Sequence, residues 1–341
     1  MTGKSTHRLV ALDFTKGTLV LFMVVYHWAN YFFGPQGDFY KYLRFLTPSF
    51  IFITGFLVSN MYLPRYQKGD FGIPRRIAIR GLKLLGLFAA LNGAISLLMS
   101  GSYNGKIGLG SGSLQVLSSI FLKGNTVIPG HGKAAAFYIL LPISYLLLFS
   151  AGLLVLSRYY RHIFHLTAIL FGACTLIVRA SGTEIANLEL LSIGFLGVLA
   201  GQAPIDRISG AISRLGGVLI LTYVCYTATI TFVPVGYTLQ VISVVLNLML
   251  LYLIGMNRQK GGGVLHEPIV LLGKYSLFGY IAQIGILQVL YRISVHVGTG
   301  TGIYGLALLG TIVLTALSVV MLDHARESGR RVDKVYRAVF A

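Results

Sequence analysis

About ten stretches of the chain are near-continuous runs of aliphatic and aromatic residues, at about 13–33, 41–62, 77–99, 134–156, 163–180, 185–202, 213–233, 237–256, 268–291 and 303–322. Each is close to the ~20 residues that a helix needs to cross a bilayer. The pattern predicts an all-α integral membrane protein of about ten transmembrane helices in one domain over residues 1–341. The longest interval between runs, about 100–133, opens Gly- and Ser-rich and then turns amphipathic at "LQVLSSIFLKG", which is too short to span. After the last run the tail, 323–341, places Val332, Val335, Tyr336, Val339 and Phe340 at helical spacing beside Arg330, Arg331, Lys334 and Arg337. That is the signature of a helix lying on a membrane surface.

Composition supports this class and narrows it. The 341 residues are 55% hydrophobic and 11% charged, whereas soluble domains carry about a quarter charged residues. A net charge of +18 would point to nucleic acid in a soluble protein. Here the basic residues fall between the apolar runs, which makes them topology signals and excludes nucleic acid as a partner. Alternate loops hold Arg65, Lys68, Arg75, Arg76, Arg158, Arg161, Arg207, Arg214, Arg258 and Lys260, and the tail adds more. By the positive-inside rule these lie in the cytoplasm, with both termini. The first run is too long for the apolar core of a signal peptide and no small-x-small cleavage site follows, so it is expected to remain as a span. Cys174 and Cys225 fall inside runs and read as core thiols.

The first run is unusual because it carries ionisable groups, "ALDFTKGTLVLFMVVYHWANYF". On a helix Asp13, Lys16, Val20, Met23, His27 and Tyr31 form one stripe, Asp13 and Lys16 being close enough to pair. Lys16 and His27 are separated by roughly 16 Å along the axis at 1.5 Å per residue. Charged groups at membrane depth must face protein or water and default to functional positions. Elsewhere, Arg76, Arg80 and Lys83 recur on one helical face with Arg75 beside them, at the inner end of the third run. Ser276, Tyr280 and Gln283 make a polar stripe in the ninth, for which interhelical hydrogen bonding is expected. Glu184 is expected to pair with Arg179 across a tight hairpin. No metal-ligand cluster, phosphate-cradling glycine loop or Ser-His-Asp pattern is present.

The segment "RLVALDFTKGTLVLFMVVYH" resembles the first helix of the membrane acyltransferase-3 family, which opens Asp-x-x-Arg-Gly and carries a His later in the same helix. Asp13, Lys16, Gly17 and His27 match that spacing, with Lys16 in place of the usual Arg. "PSFIFITGFLVS" resembles the family's Phe-rich second helix, "RRIAIRGLKLL" its Arg-rich entry to the third, and "LGKYSLFGYIAQ" its LGKxSxxxYxxH segment, with Gln283 where His is commoner. The similarity is strongest over 8–90 and returns over 270–291.

The resemblance implies transfer of an acyl group, acetyl or similar, from cytosolic acyl-CoA to a hydroxyl of a cell-envelope carbohydrate or lipid-linked sugar, in a bacterial inner or plasma membrane. His27, a residue type that titrates near neutrality, is the implied general base or acyl carrier. Lys16 and Asp13 complete the catalytic set at the cytoplasmic mouth. Arg75, Arg76, Arg80 and Lys83 become candidates for the CoA phosphates, because guanidinium and ammonium groups bind phosphate. Asn30, Tyr31, His131 and Glu189 are candidates for the acceptor. The related heparan-glucosaminide N-acetyltransferase type is an alternative, although this chain has no His between 28 and 130 to supply that branch's reactive loop residue. A transporter or flippase using Asp13, Lys16 and His27 as a relay is the alternative outside the enzymes.

Overall fold

A computed structural model of the chain describes residues 10–34, 39–98, 113–128, 132–133, 135–261, 266–297 and 300–340. The chain packs into two compact units, one of residues 1–49 and 209–338, the other of residues 50–208 with the last few residues.

Helix α1 (Val10–Phe32) is followed by a single continuous helical stretch, α2 (Tyr40–Leu43), α3 (Leu46–Leu57), a π-helical turn at Val58–Tyr62 and α4 (Leu63–Gln67). Next come α5 (Ile73–Leu98), the short α6 (Ser113–Ser118) with a second π-helical turn, and α7 (Leu140–Leu156). Then follow α8 (Ile163–Ala180), α9 (Ala186–Ala200), α10 (Ile205–Arg214), α11 (Gly216–Phe232) and α12 (Tyr237–Gly261). Helices α13 (His266–Lys274), α14 (Ser276–Val297), α15 (Thr301–Ser328) and α16 (Arg330–Phe340) complete the chain. The only sheet among the described residues is a two-residue antiparallel pair, Val127–Ile128 with Gly132–Lys133.

Each of the ten apolar runs carries helix, although α7 begins only at Leu140 within the run 134–156, and among the described residues seven helices are long and apolar enough to cross a membrane, or up to eight if α9 and α10 form one bent span. α7 and α11 are the two shorter apolar helices, at 17 residues each. The run 268–291 is a joint rather than one helix: α13 ends at Lys274 and α14 begins at Ser276. Large apolar side chains stay exposed in rows, such as Leu166, Ile169, Leu170 and Ile177 on α8 and Leu306, Leu309, Val313 and Val320 on α15. A soluble protein does not leave such surfaces to water, and lipid is the solvent that suits them. Cys225 is exposed on one of these surfaces and Cys174 is half-buried, so neither is the core thiol that the sequence suggested. Cys is apolar enough to face hydrocarbon.

In the first unit α1 is the hub, packed against α12, α13, α14 and α15. Close approach at its amino-terminal half comes from glycine. A Cβ on Gly17 would stand 1.9 Å from the Ile269 carbonyl oxygen, and one on Gly273 would stand 1.7 Å from the Asp13 carbonyl oxygen. Backbone meets backbone there, as small residues permit between membrane helices. In the second unit Gly194 and Gly197 of α9, and Gly201 just after it, run along α3: a Cβ on Gly55 would stand 2.0 Å from the Gly194 carbonyl oxygen and one on Gly197 2.1 Å from that of Phe52. The amphipathic segment after residue 112 is α6 and its π-turn, stopped at Gly124 with φ +80°. It is held in place by the Asn187 amide, which donates to the carbonyls of Ile120, Phe121 and Leu122, and by the Tyr145 hydroxyl, which donates to Phe121.

The tail forms α16 as its periodicity predicts, and it is anchored by more than an apolar stripe. Arg326 Nε donates to Asp333 at 2.9 Å, Arg337 reaches the same carboxylate at 2.7 Å, and the Arg326 guanidinium lies 4.0 Å over the Tyr336 ring. Val332, Val335 and Val339 remain exposed. The hydrogen bond from Arg326 is the main cause that holds the Asp333 carboxyl below the usual carboxylate range. A lowered native value means that the contact is fully present above the ordinary carboxyl pKa and is lost as pH falls through the lowered one. Hydrogen exchange over 330–340 is therefore expected to accelerate in Asp333→Asn at neutral pH, and in the native protein only under strong acid. Unchanged exchange in the variant would mean that this carboxylate does not hold the helix.

Candidate functional site

The sequence elements singled out for chemistry fall into three places. The first is the amino-terminal end of α1. Asp13 is buried and its carboxylate meets Lys16 Nζ at 2.6 Å. The pair sits where α1 touches α13, because Asp13 is the residue whose carbonyl faces Gly273. The side chains keep only 11% and 19% of their surface exposed, Asp13 and Lys16 respectively. Removing one partner of such a pair leaves a buried charge and costs about 3–5 kcal/mol. Lys16→Ala is accordingly expected to destabilise the protein by that order in a thermal melt, whereas Lys16→Arg, the family's usual residue, keeps the pair. Equal melting of Lys16→Ala and the native protein would remove the structural part of this assignment.

The second place is His27, farther along the same helix. Its imidazole stands edge-on to Tyr26, with ring centroids 5.2 Å apart, and 6.1 Å from the ring of Tyr280 on α14. The Nε2 atom is out of solvent contact. Tyr26 packs on Tyr40 at 5.3 Å. The Tyr40 hydroxyl donates to Asn30 Oδ1 and, at 3.0 Å, to the Gly34 carbonyl. Tyr31 donates to Gln288 Oε1 at 2.6 Å, and Trp28 Nε1 donates to the Tyr304 carbonyl at 2.8 Å. The predicted acceptor residues Asn30 and Tyr31 therefore lie within one aromatic and amide cluster with His27, and each is already held in a defined direction. Tyr26, Tyr40 and Gln288 were not legible as part of it. The aromatic density of "VVYHWANYFF" was the available signal.

The "LGKYS" segment frames the same helices. Gly273 seats α13 on α1, and Leu272 lies against Gly279 of α14. Lys274 Nζ meets Asp323 of α15 at 2.7 Å, and the Tyr275 hydroxyl donates to that same carboxylate. Tyr275 also receives a hydrogen bond from Arg326 at 3.0 Å. This motif ties α13, α14 and α15 into a frame around α1.

The remaining candidates belong to the second unit. Arg75, Arg76 and Arg80 are exposed on α5, with Lys83 half-buried. Arg76 pairs with Asp70, and Arg80 lies 3.4 Å from the Tyr62 hydroxyl. Glu189 pairs with Arg179 at 2.7 Å, and Arg179 also reaches Glu184 at 3.0 Å. The expected hairpin pair therefore forms and takes in Glu189 as well. His131 lies outside the described residues.

Apolar helices with exposed apolar rows, and a half-buried histidine flanked by tyrosines inside one span, define a multi-pass membrane protein with a candidate reactive centre in α1. The chain matches the acyltransferase-3 family model, described as an acyltransferase domain, over residues 9–322, and it belongs to that family. Membership makes it a membrane acyltransferase in general terms. No curated protein and no solved structure matches it.

Proposed function

We propose that the protein moves an acyl group, acetyl or similar, from cytosolic acyl-CoA to a hydroxyl of a cell-envelope carbohydrate or lipid-linked sugar, with His27 as general base or acyl carrier. The observation that carries this reading is the setting of His27: an ionisable, half-buried ring within an apolar helix, flanked by Tyr26 and Tyr280. As base, an imidazole nitrogen takes the acceptor's hydroxyl proton while the oxygen attacks the thioester carbonyl. The C–S bond breaks, and the CoA thiolate leaves and takes up a proton. As carrier, the nitrogen itself attacks the thioester, expels CoA and passes the acyl group to the hydroxyl in a second displacement.

Asn30 and Tyr31, on the turn after His27, present an amide and a phenol of the kind that orient a sugar hydroxyl. The Asp13–Lys16 pair is assigned to the cytoplasmic end of the same helix, and Arg75, Arg76, Arg80 and Lys83 to the CoA phosphates, with both termini cytoplasmic in a bacterial inner or plasma membrane. The test uses purified protein in nanodiscs with acetyl-CoA, then succinyl-CoA, and an envelope-glycan extract. Release of free CoA thiol together with an acylated sugar is expected. Consumption of neither donor would overturn the reading and bring the relay alternative forward.

A further inference from the structure

Gln283, in the middle of α14, is completely buried, and neither its Nε2 nor its Oε1 has a hydrogen-bond partner among the described residues. At Gln283, therefore, the interhelical hydrogen bonding expected for the stripe is not found among the described residues. The packing of α14 on α15 is indexed by two contacts: a Cβ on Gly279 would stand 3.8 Å from Val319 and one on Gly310 3.5 Å from Leu290, both ordinary van der Waals distances. That antiparallel register places Gln283 at the height of Thr315, which is also fully buried and whose Oγ1 likewise has no partner among the described residues. One turn earlier Thr311 donates to the Ala307 carbonyl at 2.7 Å, the usual refuge of a helical threonine. Thr315 does not take it. Buried polar groups are satisfied in nearly all native proteins, so each exception calls for an explanation, a bound group among them.

The location connects this pair to the site. Tyr280, the neighbour of His27, is three residues before Gln283 on α14, and side chains at that spacing lie about 5–6 Å apart at Cβ. Gly279, on the same stretch, faces Val20 of α1 and Val319 of α15. Ile284 and Leu287 close the α14 side as buried apolar residues. A neutral amide and a hydroxyl among aliphatic side chains offer no counter-charge to a phosphate or carboxylate and too few bonds for a polyol. They offer N–H and O–H donors to one carbonyl oxygen and apolar surface to a short hydrocarbon.

We propose that the Gln283 amide, with the Thr315 hydroxyl at the same height on α15, binds the carbonyl oxygen of the transferred acyl group and positions that group for His27. This rests on the acyltransferase reading above. The amide N–H groups then also face the oxygen on which charge develops when the thioester is attacked, where such donors act most strongly.

The test compares native protein with Gln283→Leu, Gln283→Met and Thr315→Val in nanodiscs, reading thermal stability, acyl-transfer kinetics and the relative affinities of acetyl-CoA and free CoA. Replacing an unpartnered buried amide by an apolar side chain of similar size is expected to leave the melting temperature equal or higher. Transfer is expected to fall at least about 10-fold, because a group built to hydrogen-bond substrate has been removed. Any preference for acetyl-CoA over free CoA is expected to shrink while free-CoA binding stays unchanged, a readout that a structural role would not move. Thr315→Val alone should lower transfer several-fold, which keeps the proposal testable if the Gln283 variants fail to fold. Native transfer rates in the Gln283 variants would overturn it, with or without a lower melting temperature. Native protein that consumes no acyl-CoA would defeat the acyltransferase reading itself, and this inference with it.

Discussion

Gly273→Val is expected to prevent recovery of folded protein from the membrane, or to lower its melting temperature by many degrees. The position has no room for any side chain: the first atom added would stand 1.7 Å from the Asp13 carbonyl oxygen, and Gly17 presents the reciprocal obstacle at 1.9 Å from Ile269. Both obstacles are backbone, so no rotamer change relieves them and the helices must separate. Overpacking costs about 1–3 kcal/mol where side chains can yield, and more where they cannot. Because α1 also touches α12, α14 and α15, a displacement at this contact spreads through the first unit and disturbs the Asp13–Lys16 pair. Gly285→Ala is the control. It lies on α14 with open space where its Cβ would go, and gains helix propensity, so it should melt at or slightly above the native temperature. A native melt for Gly273→Val would contradict the packing account.

His27→Ala is expected to lower acyl transfer by about 10²–10⁴-fold, the usual contribution of a positioned proton-transfer group, while leaving acyl-CoA binding close to native. The ring sits near the far end of α1, roughly 16 Å along the axis from Lys16, so its loss leaves the glycine contacts and the ion pair of that helix intact. Tyr26 and Tyr280 lose one neighbour each, a local change in packing rather than a collapse. A variant that folds, binds donor and fails to transfer separates the chemical role from the structural one. A fall in donor affinity equal to the fall in rate would assign His27 to binding instead.

The Asp13–Lys16 pair was legible because it is local: the two residues are three apart, and that spacing alone put them on one stripe. The helix they predicted, 13–33, is found as Val10–Phe32. The Arg179–Glu184 pair was legible for the same reason. Partners from distant parts of the chain were not. Nothing in the spacing of Asp323 announces that Lys274 and Tyr275 converge on it, or that Tyr40 reaches back to Asn30. Membrane helices also hide their orientation, since lipid-facing and core-facing positions are both apolar and interhelical packing has no hydrophobic driving force to mark it. Cys225 was misplaced on that account. The joint at Tyr275 was missed because an apolar run looks continuous whether or not its helix is. Gln283 stood out in the sequence only as a polar residue in an apolar stretch. That neither of its amide atoms has a hydrogen-bond partner among the described residues becomes visible only in the folded chain.

The role of His27 is decided by transfer of radiolabelled acetyl, or succinyl, from its CoA ester to envelope glycan by native protein and His27→Ala in nanodiscs, with donor binding measured on the same samples. Labelled glycan and one released CoA per acyl group transferred are expected from the native protein, and at least about 10²-fold less of both from a variant that still binds the donor. Labelled glycan at the native rate from His27→Ala would contradict that role.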